Sequence, residues 1–347
     1  MAIARPKAIM TETTLPGAVR DAIRQEMEQD ESVVCWGEDI KGGTGADGLS
    51  PTDDAWPGVM PAYAGLAAQF GLERVRDMPI AEAGFIGAAF GAAAVGLRPV
   101  VDLMFVDFLG VCLDQIANQG AKTGYMFGNQ LRAPVVIHTA FGAGRQMGGQ
   151  HSGIHYSVFS HFPGLKVVAP STPYDAKGLM AAAIRDDNPV VFCEHRMLAT
   201  LKEEVPIAPY TIPIGQADLK REGDDVVIVA VSRMVHIALD AAEQLAKRGV
   251  SAAVLDLRSL SPLDEGAILD ALQRTGRILI VDEDNPRCSV SSDVAALAAE
   301  RGLDLLKAPV VRVTSPHTPV PFSPPLETYY LPDAERVAAA AERLVSH

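Results

Sequence analysis

Glu82, in Asp77-Met-Pro-Ile-Ala-Glu-Ala-Gly-Phe-Ile-Gly87, is the residue best placed to do chemistry. It stands just before a run of small apolar residues, where burial is expected. A carboxyl removed from water holds its proton more tightly and can share or relay it. The plain alternative is an acidic partner for the positive end of a helix, and the local sequence leaves the two level. His151 and His155 lie four apart, with His161 nearby. On one helical face such a pair can hold zinc. No HExxH pattern, Cys or carboxylate completes a ligand set, so locally each reads as an ordinary surface or core histidine. Gly43-Thr-Gly-Ala-Asp-Gly48 fits GxGxxG. A dinucleotide site needs a helix start after that pattern, and Leu49-Ser-Pro-Thr-Asp-Asp54 is a poor one. Residues 41–58 therefore read as a loop. GxSxG and P-loop patterns are absent.

The elements that must position these groups alternate. Residues 17–29 have helical apolar spacing, and Val33–Trp36 is a short apolar strand ending at Gly37-Glu38-Asp39. Ala83–Gly96 reads as a helix of small residues, open to close approach by another backbone. Strands are expected at 99–105, 134–139, 165–169 and 190–194. Between the last two, Thr172-Pro173 opens a helix over 174–184. The rhythm then lapses over Leu198–Gly223, where Pro206, Pro209 and Pro213 mark a linker. It restarts with strands at 225–231, 251–257, 277–282 and 310–313 and helices at 234–248, 264–274, 291–301 and 333–345. Gly249, Gly276 and Gly302 follow three of those helices as expected left-handed caps. Continuous apolar strands alternating with helices mean parallel sheets covered on both faces. The expected fold is two doubly wound parallel-sheet α/β domains, 1–197 and 224–347, joined by a 198–223 linker.

Composition sets the outer limits. The 347 residues carry a formal charge of −13, with no Lys/Arg-rich run, which argues against nucleic acid as a partner. No run of about 18 apolar residues suggests a membrane span. Cys35, Cys112, Cys193 and Cys288 are scattered without a CxxC pair. They read as four idle thiols in a reducing, cytoplasmic setting.

Several ordered strings together resemble one family over nearly the whole chain: Gly37-Glu-Asp39, PIAEAGFIGAAFGAAAVGLRPV from Pro79, DQIANQGAKTGYMFG from Asp114, and GQHS from Gly149. HFPGLKVVAPSTPYDAKGL from His161, AAIRDDNPVVFCEH from Ala182 and GRILIVDE from Gly276 continue it. They look like the beta subunits of thiamine-diphosphate-dependent 2-oxo acid dehydrogenases. The resemblance implies a transketolase-like pyrimidine-binding domain followed by a transketolase C-terminal domain. It gives Glu82 a role: hydrogen-bonding the pyrimidine nitrogen of thiamine diphosphate, favouring the imino tautomer that activates the thiazolium carbon. His151 matches the family's active-site histidine, although the usual His-Ser-Gln here ends in Gly153. Glu38 and Asp114 match acids lining a proton channel between two active sites. Glu38, Met104 and Phe108 fall where the family surrounds the aminopyrimidine. Val135, Ala183, Ile184, Asp186 and Asn188 match a potassium site built from hard oxygen ligands.

The magnesium-binding GDG motif of thiamine enzymes is absent, the nearest string being Ala46-Asp-Gly48. In the family it lies on the alpha subunit, which implies a shared cofactor, magnesium held by the partner, and an α2β2 heterotetramer. A lipoyl acyltransferase core is the further partner. Asp54-Ala-Trp-Pro-Gly-Val59, Met234-Val-His236, Asn285–Val290 and Pro316–Phe322 are most similar to acetoin dehydrogenase beta subunits. Acetoin cleavage with acetyl transfer to lipoamide is thus expected, with pyruvate or branched-chain 2-oxo acids as alternatives. A scaffold subunit without catalysis and a standalone transketolase-like enzyme are the competing functions.

Overall fold

The computed structural model describes residues 9–42 and 61–347. The GxGxxG string, the Asp54–Val59 string and nearly all of the expected 41–58 loop lie outside them. Fourteen strands are described: β1 (Met10–Thr14), β2 (Val33–Gly37), β3 (Val75–Asp77), β4 (Arg98–Phe105), β5 (Val136–Phe141), β6 (Lys166–Val168) and β7 (Val190–His195). The rest are β8 (Lys202–Pro206), β9 (Asp218–Arg221), β10 (Val226–Ala230), β11 (Ala252–Asp256), β12 (Ser259–Ser261), β13 (Ile278–Asp282) and β14 (Val311–Thr314).

The first sheet has the order β12-β6-β7-β5-β4-β2-β3, parallel except for the edge strand β12. Alternate residues of its strands feed two apolar clusters. Val33, Cys35, Val136 and Phe192 meet helices Leu15–Gln29 and Pro173–Arg185. Val34, Trp36, Val101 and Ile137 meet helix Glu82–Ala94 and the 109–126 segment. Both faces are therefore covered, as continuous apolar strands require. Thr172 caps the second of these helices by accepting from the Asp175 N–H at 3.1 Å, with Pro173 in the first turn.

The second sheet has the order β14-β13-β10-β11-β9, parallel except for β9. The segment 198–223 contributes structure to both halves. β8 pairs antiparallel with β1, and β9 forms the edge of the second sheet. β12 crosses from the second half to the first sheet, and one apolar cluster runs through both halves. Gly249 and Gly276 take left-handed backbones, with φ of 80° and 74°. Gly302 does not; its φ is −116°. It is small for another reason, since a Cβ there would stand 2.8 Å from Leu272 Cδ2 and 2.9 Å from the Ala298 carbonyl. Among the described residues no helix is long and apolar enough to cross a membrane.

Candidate active site

Ligands of open α/β sheets bind beyond the carboxyl ends of strands where strand order reverses. In the first sheet that reversal falls at β2, which lies between β3 and β4. The candidate residues gather there. Glu38 follows β2, Glu82 opens the helix after β3, Met104 is the last residue but one of β4, and Phe108 lies in the next turn. His151 belongs to the segment after β5. It is not on a helix; the nearest one starts at Tyr156. Its ring packs edge-on against Phe105 at 5.0 Å and Phe108 at 5.6 Å.

Glu82 is the first residue of its helix and only 8% exposed. Both sequence readings thus hold in geometry: it sits at the dipole's positive end and it is buried. It has no hydrogen bond to any described residue. Glu38, half-buried, feels it. Burial, then Asp39, then Glu82 raise the Glu38 carboxyl above its ordinary range. Burial and then Glu82 also push the Cys112 thiol up to about 12. The Glu82 carboxylate thus faces a second carboxyl and accepts from no described donor, so a ligand nitrogen could meet it with a hydrogen bond.

Met104 has φ of 63°, uncommon for a side chain of its kind, and its N–H donates to Asp102 Oδ1 at 2.9 Å. Such strain persists only where surrounding structure imposes it. Asp102 is 1% exposed, and its other oxygen has no described partner. Burial raises its carboxyl to about 6, against the opposing charge of His138. His138 accepts or donates to Tyr63 Oη at 3.0 Å and Glu194 at 3.1 Å. Burial opposes its charged form, but Glu194 and Asp102 outweigh that and raise it. This buried network behind the crevice was not singled out from sequence. The available signal was an ionisable residue inside each of three apolar strands, β4, β5 and β7.

The second half grips the His151 segment. Glu283, 2% exposed, accepts from the Ala143 N–H at 2.8 Å and bonds His195 at 2.9 Å. Burial would raise its carboxyl, but His195, Arg233 and that N–H together hold it low. Glu327 accepts from the Gly144 and Gln146 N–H groups at 2.7 and 3.0 Å. Tyr156 donates to Asp282, and Ser157 to Asp284. Arg196 ties the same segment to β4, stacked 5.2 Å over Phe105 and donating to the Gly142 carbonyl and Ser152.

Two expected features lie elsewhere. Asp114 is exposed on helix Leu109–Asp114 and accepts from Asn118 Nδ2 at 2.7 Å. The Asp186 turn is at the opposite end of the first sheet, roughly 20 Å from Met104 by strand rise. There Arg98, at the start of β4, donates to the Ile184 carbonyl at 2.9 Å. Val190 N–H donates to the Val135 carbonyl, and Asp186 N–H to that of Ala183. Asn188 holds one Asp186 oxygen and Lys166 the other. Each carbonyl keeps a second lone pair for a cation. Among the described residues no three His, Cys, Asp or Glu side chains gather as a metal-binding group.

The chain matches the transketolase pyrimidine-binding domain over residues 12–202 and the transketolase C-terminal domain over 215–337. It is 51% identical to the beta subunit of the acetoin:2,6-dichlorophenolindophenol oxidoreductase of Bacillus subtilis (strain 168), covering 96% of this chain and 97% of that one. It is 43% identical to the 2-oxoisovalerate dehydrogenase beta subunit of the same organism, covering 94% and 97%. A solved structure of a split-gene transketolase, described as an inactive beta4 tetramer, shares the fold with a TM-score of 0.76 at 23% identity, covering 96% and 98%. The chain belongs to the family of oxidoreductase beta subunits that joins the acetoin and 2-oxo acid dehydrogenases, built from transketolase pyrimidine-binding and C-terminal domains.

Proposed function

We propose that this chain is the beta subunit of a thiamine-diphosphate-dependent dehydrogenase that cleaves acetoin and passes the acetyl unit to a lipoyl group. The observation that carries the proposal is the buried Glu82, without a hydrogen bond to any described residue, beside Glu38 at the strand-order reversal. The residues fit the aminopyrimidine end of the cofactor: Glu82 to hydrogen-bond its ring nitrogen, Met104 and Phe108 to wall the ring, and Glu38 to keep a proton in exchange. The bound cofactor supplies a thiazolium carbon that acts as nucleophile and electron sink. This chain supplies the proton at the pyrimidine, and His151 supplies a donor or acceptor beside the reacting carbonyl.

A cofactor with no phosphate-binding motif on this chain needs an alpha subunit to hold its diphosphate and magnesium, in an α2β2 assembly. Ala81, Gly84, Ala88 and Gly91 form an exposed stripe on helix Glu82–Ala94, suited to close approach by another chain. Asp114, exposed in the single chain, would join the proton channel only within that assembly. The domain division at 198–223, the acyltransferase core partner and a cytoplasmic setting belong to the same proposal. Potassium is proposed at the Asp186 turn. A melting midpoint raised by KCl but not by N-methylglucamine chloride supports it, and equal midpoints remove it.

Co-expression with the alpha partner tests the substrate. Dye-coupled turnover of acetoin should exceed that of pyruvate and 3-methyl-2-oxobutanoate. Pyruvate succeeding where acetoin fails would move the assignment to a 2-oxo acid. No turnover of any of the three, with the pair intact, would leave a scaffold. Thiamine diphosphate binding by the isolated chain would favour a standalone transketolase-like enzyme.

A further inference from the structure

We propose that His155, paired with Asp107, is a second acid–base residue of this site, taking the hydroxyl proton of the substrate as its carbon–carbon bond breaks. The proposal rests on the acetoin reading above and deepens it. Its starting point is Gly153, which stands where the family motif continues with Gln. No positive φ demands a glycine there. Space does: a Cβ at 153 would stand 2.4 Å from His155 Nε2 and 2.5 Å from Asp107 Oδ1. The glycine lets an imidazole and a carboxylate share the volume a side chain would fill.

The pair has the form of an acid–base unit. Both Asp107 oxygens accept from the Gly153 N–H at 3.1 Å, which fixes the carboxylate. His155 Nε2 faces Asp107 Oδ1 at 3.7 Å, close enough for the carboxylate to orient the ring. His155 Nδ1 has no partner among the described residues. Asp107 immediately precedes Phe108, whose ring packs on His151, so the pair borders the candidate site. His155 also lines a cleft of about 390 Å³, with Asn285 and His317 of the second half on its wall.

The chemistry explains the need. A 2-oxo acid loses its carboxylate as carbon dioxide, and no proton has to be removed to break that bond. Acetoin has a hydroxyl at the corresponding carbon. His155 takes that proton, and the O–H electron pair becomes the carbonyl of departing acetaldehyde. The pair from the broken carbon–carbon bond stays on the carbon held by the thiazolium, the electron sink.

The test uses the reconstituted α/β assembly. His155→Gln and Asp107→Asn should lower acetoin turnover, His155→Gln by about 10²–10⁴-fold. Thiamine diphosphate affinity by calorimetry should stay within about twofold, and the acid limb of the kcat profile should be lost with His155. A second readout needs no turnover. In the cofactor-free assembly, Gly153→Gln should lower the melting midpoint markedly with His155 present, and clearly less with His155→Ala. Wild-type acetoin turnover left unchanged by His155→Gln would overturn this inference alone. Equal destabilisation by Gly153→Gln in both backgrounds would overturn its steric basis. Failure of the wild type to use acetoin would overturn the substrate reading, and this inference with it.

Discussion

Each half of the molecule has a crevice where its strand order reverses, and the two are used differently. In the first half the crevice beyond β2 and β4 holds Glu82, buried and without a described partner. In the second half the crevice beyond β10 and β13 holds Asp282, Glu283 and Asp284, all buried and all bonded to residues 143–157 or their neighbours. Among the described residues the same topology thus fills the second crevice with the chain itself and leaves the Glu82 carboxylate of the first without a protein donor. The filled crevice holds the segment that brings His151 to the first. Burial alone does not separate the two carboxylates; donors do, since Glu283 is met by protein groups and Glu82 by none among the described residues.

Variants that add or remove partners separate the two cases. Glu82→Gln keeps the shape and removes the proton partner. Turnover of the assembly should fall by about 10²–10⁴-fold, with no loss of melting midpoint in the cofactor-free state. A clear loss of stability instead would make Glu82 a structural residue like Glu283. Glu283→Ala should do the reverse. It strips a paired, buried charge from His195 and the Ala143 N–H, and the loss of folding stability should be about 3–5 kcal/mol by denaturant titration. A loss under about 1 kcal/mol would mean that the second crevice is not what holds the His151 segment.

Asp102 lies between these extremes, with one oxygen bonded and one orphaned. Its carboxyl is raised to about 6 from 3.8, so the folded state keeps the proton longer than the unfolded state. Below about pH 4 both states are protonated and the ionised form costs nothing. Stability is lost as pH rises through about 4–6, and the full cost remains above that. Asp102→Asn should therefore gain on the wild type across that window, by about 1–3 kcal/mol at pH 7. A constant difference at all pH values would refute the assignment. Asp114→Asn should change stability by less than about 0.5 kcal/mol, as expected of an exposed group. A larger loss would show that its carboxylate carries structural load inside the assembly.

The fold was largely legible because β2, β4, β5, β7, β10 and β13 are apolar runs bounded by helices with capping residues. Thr172-Pro173 announces its helix directly. The strands that escaped notice, β1, β3, β8, β9 and β12, are short, mostly polar, and exist because of what they pair with. β12 completes the edge of a sheet whose other strands lie far earlier in the chain. The same limit applies to the site. Glu82 is flagged by its own neighbours in sequence, whereas Asp102 and His138 become a network only through the register of β4 on β5. Asp107 and His155 acquire meaning only from the space at Gly153. Gly302 shows the converse error, a residue type read as a turn signal whose actual cause is close packing.

The central claim is that Glu82 controls the protonation of the cofactor's pyrimidine. Its most direct test is the rate of deuterium exchange at the thiazolium C2 of thiamine diphosphate bound to the α/β assembly, read by rapid acid quench and NMR. Exchange in the wild type should be at least about 100-fold faster than in Glu82→Gln with the cofactor fully bound in both. Equal exchange rates in the two proteins would contradict the account.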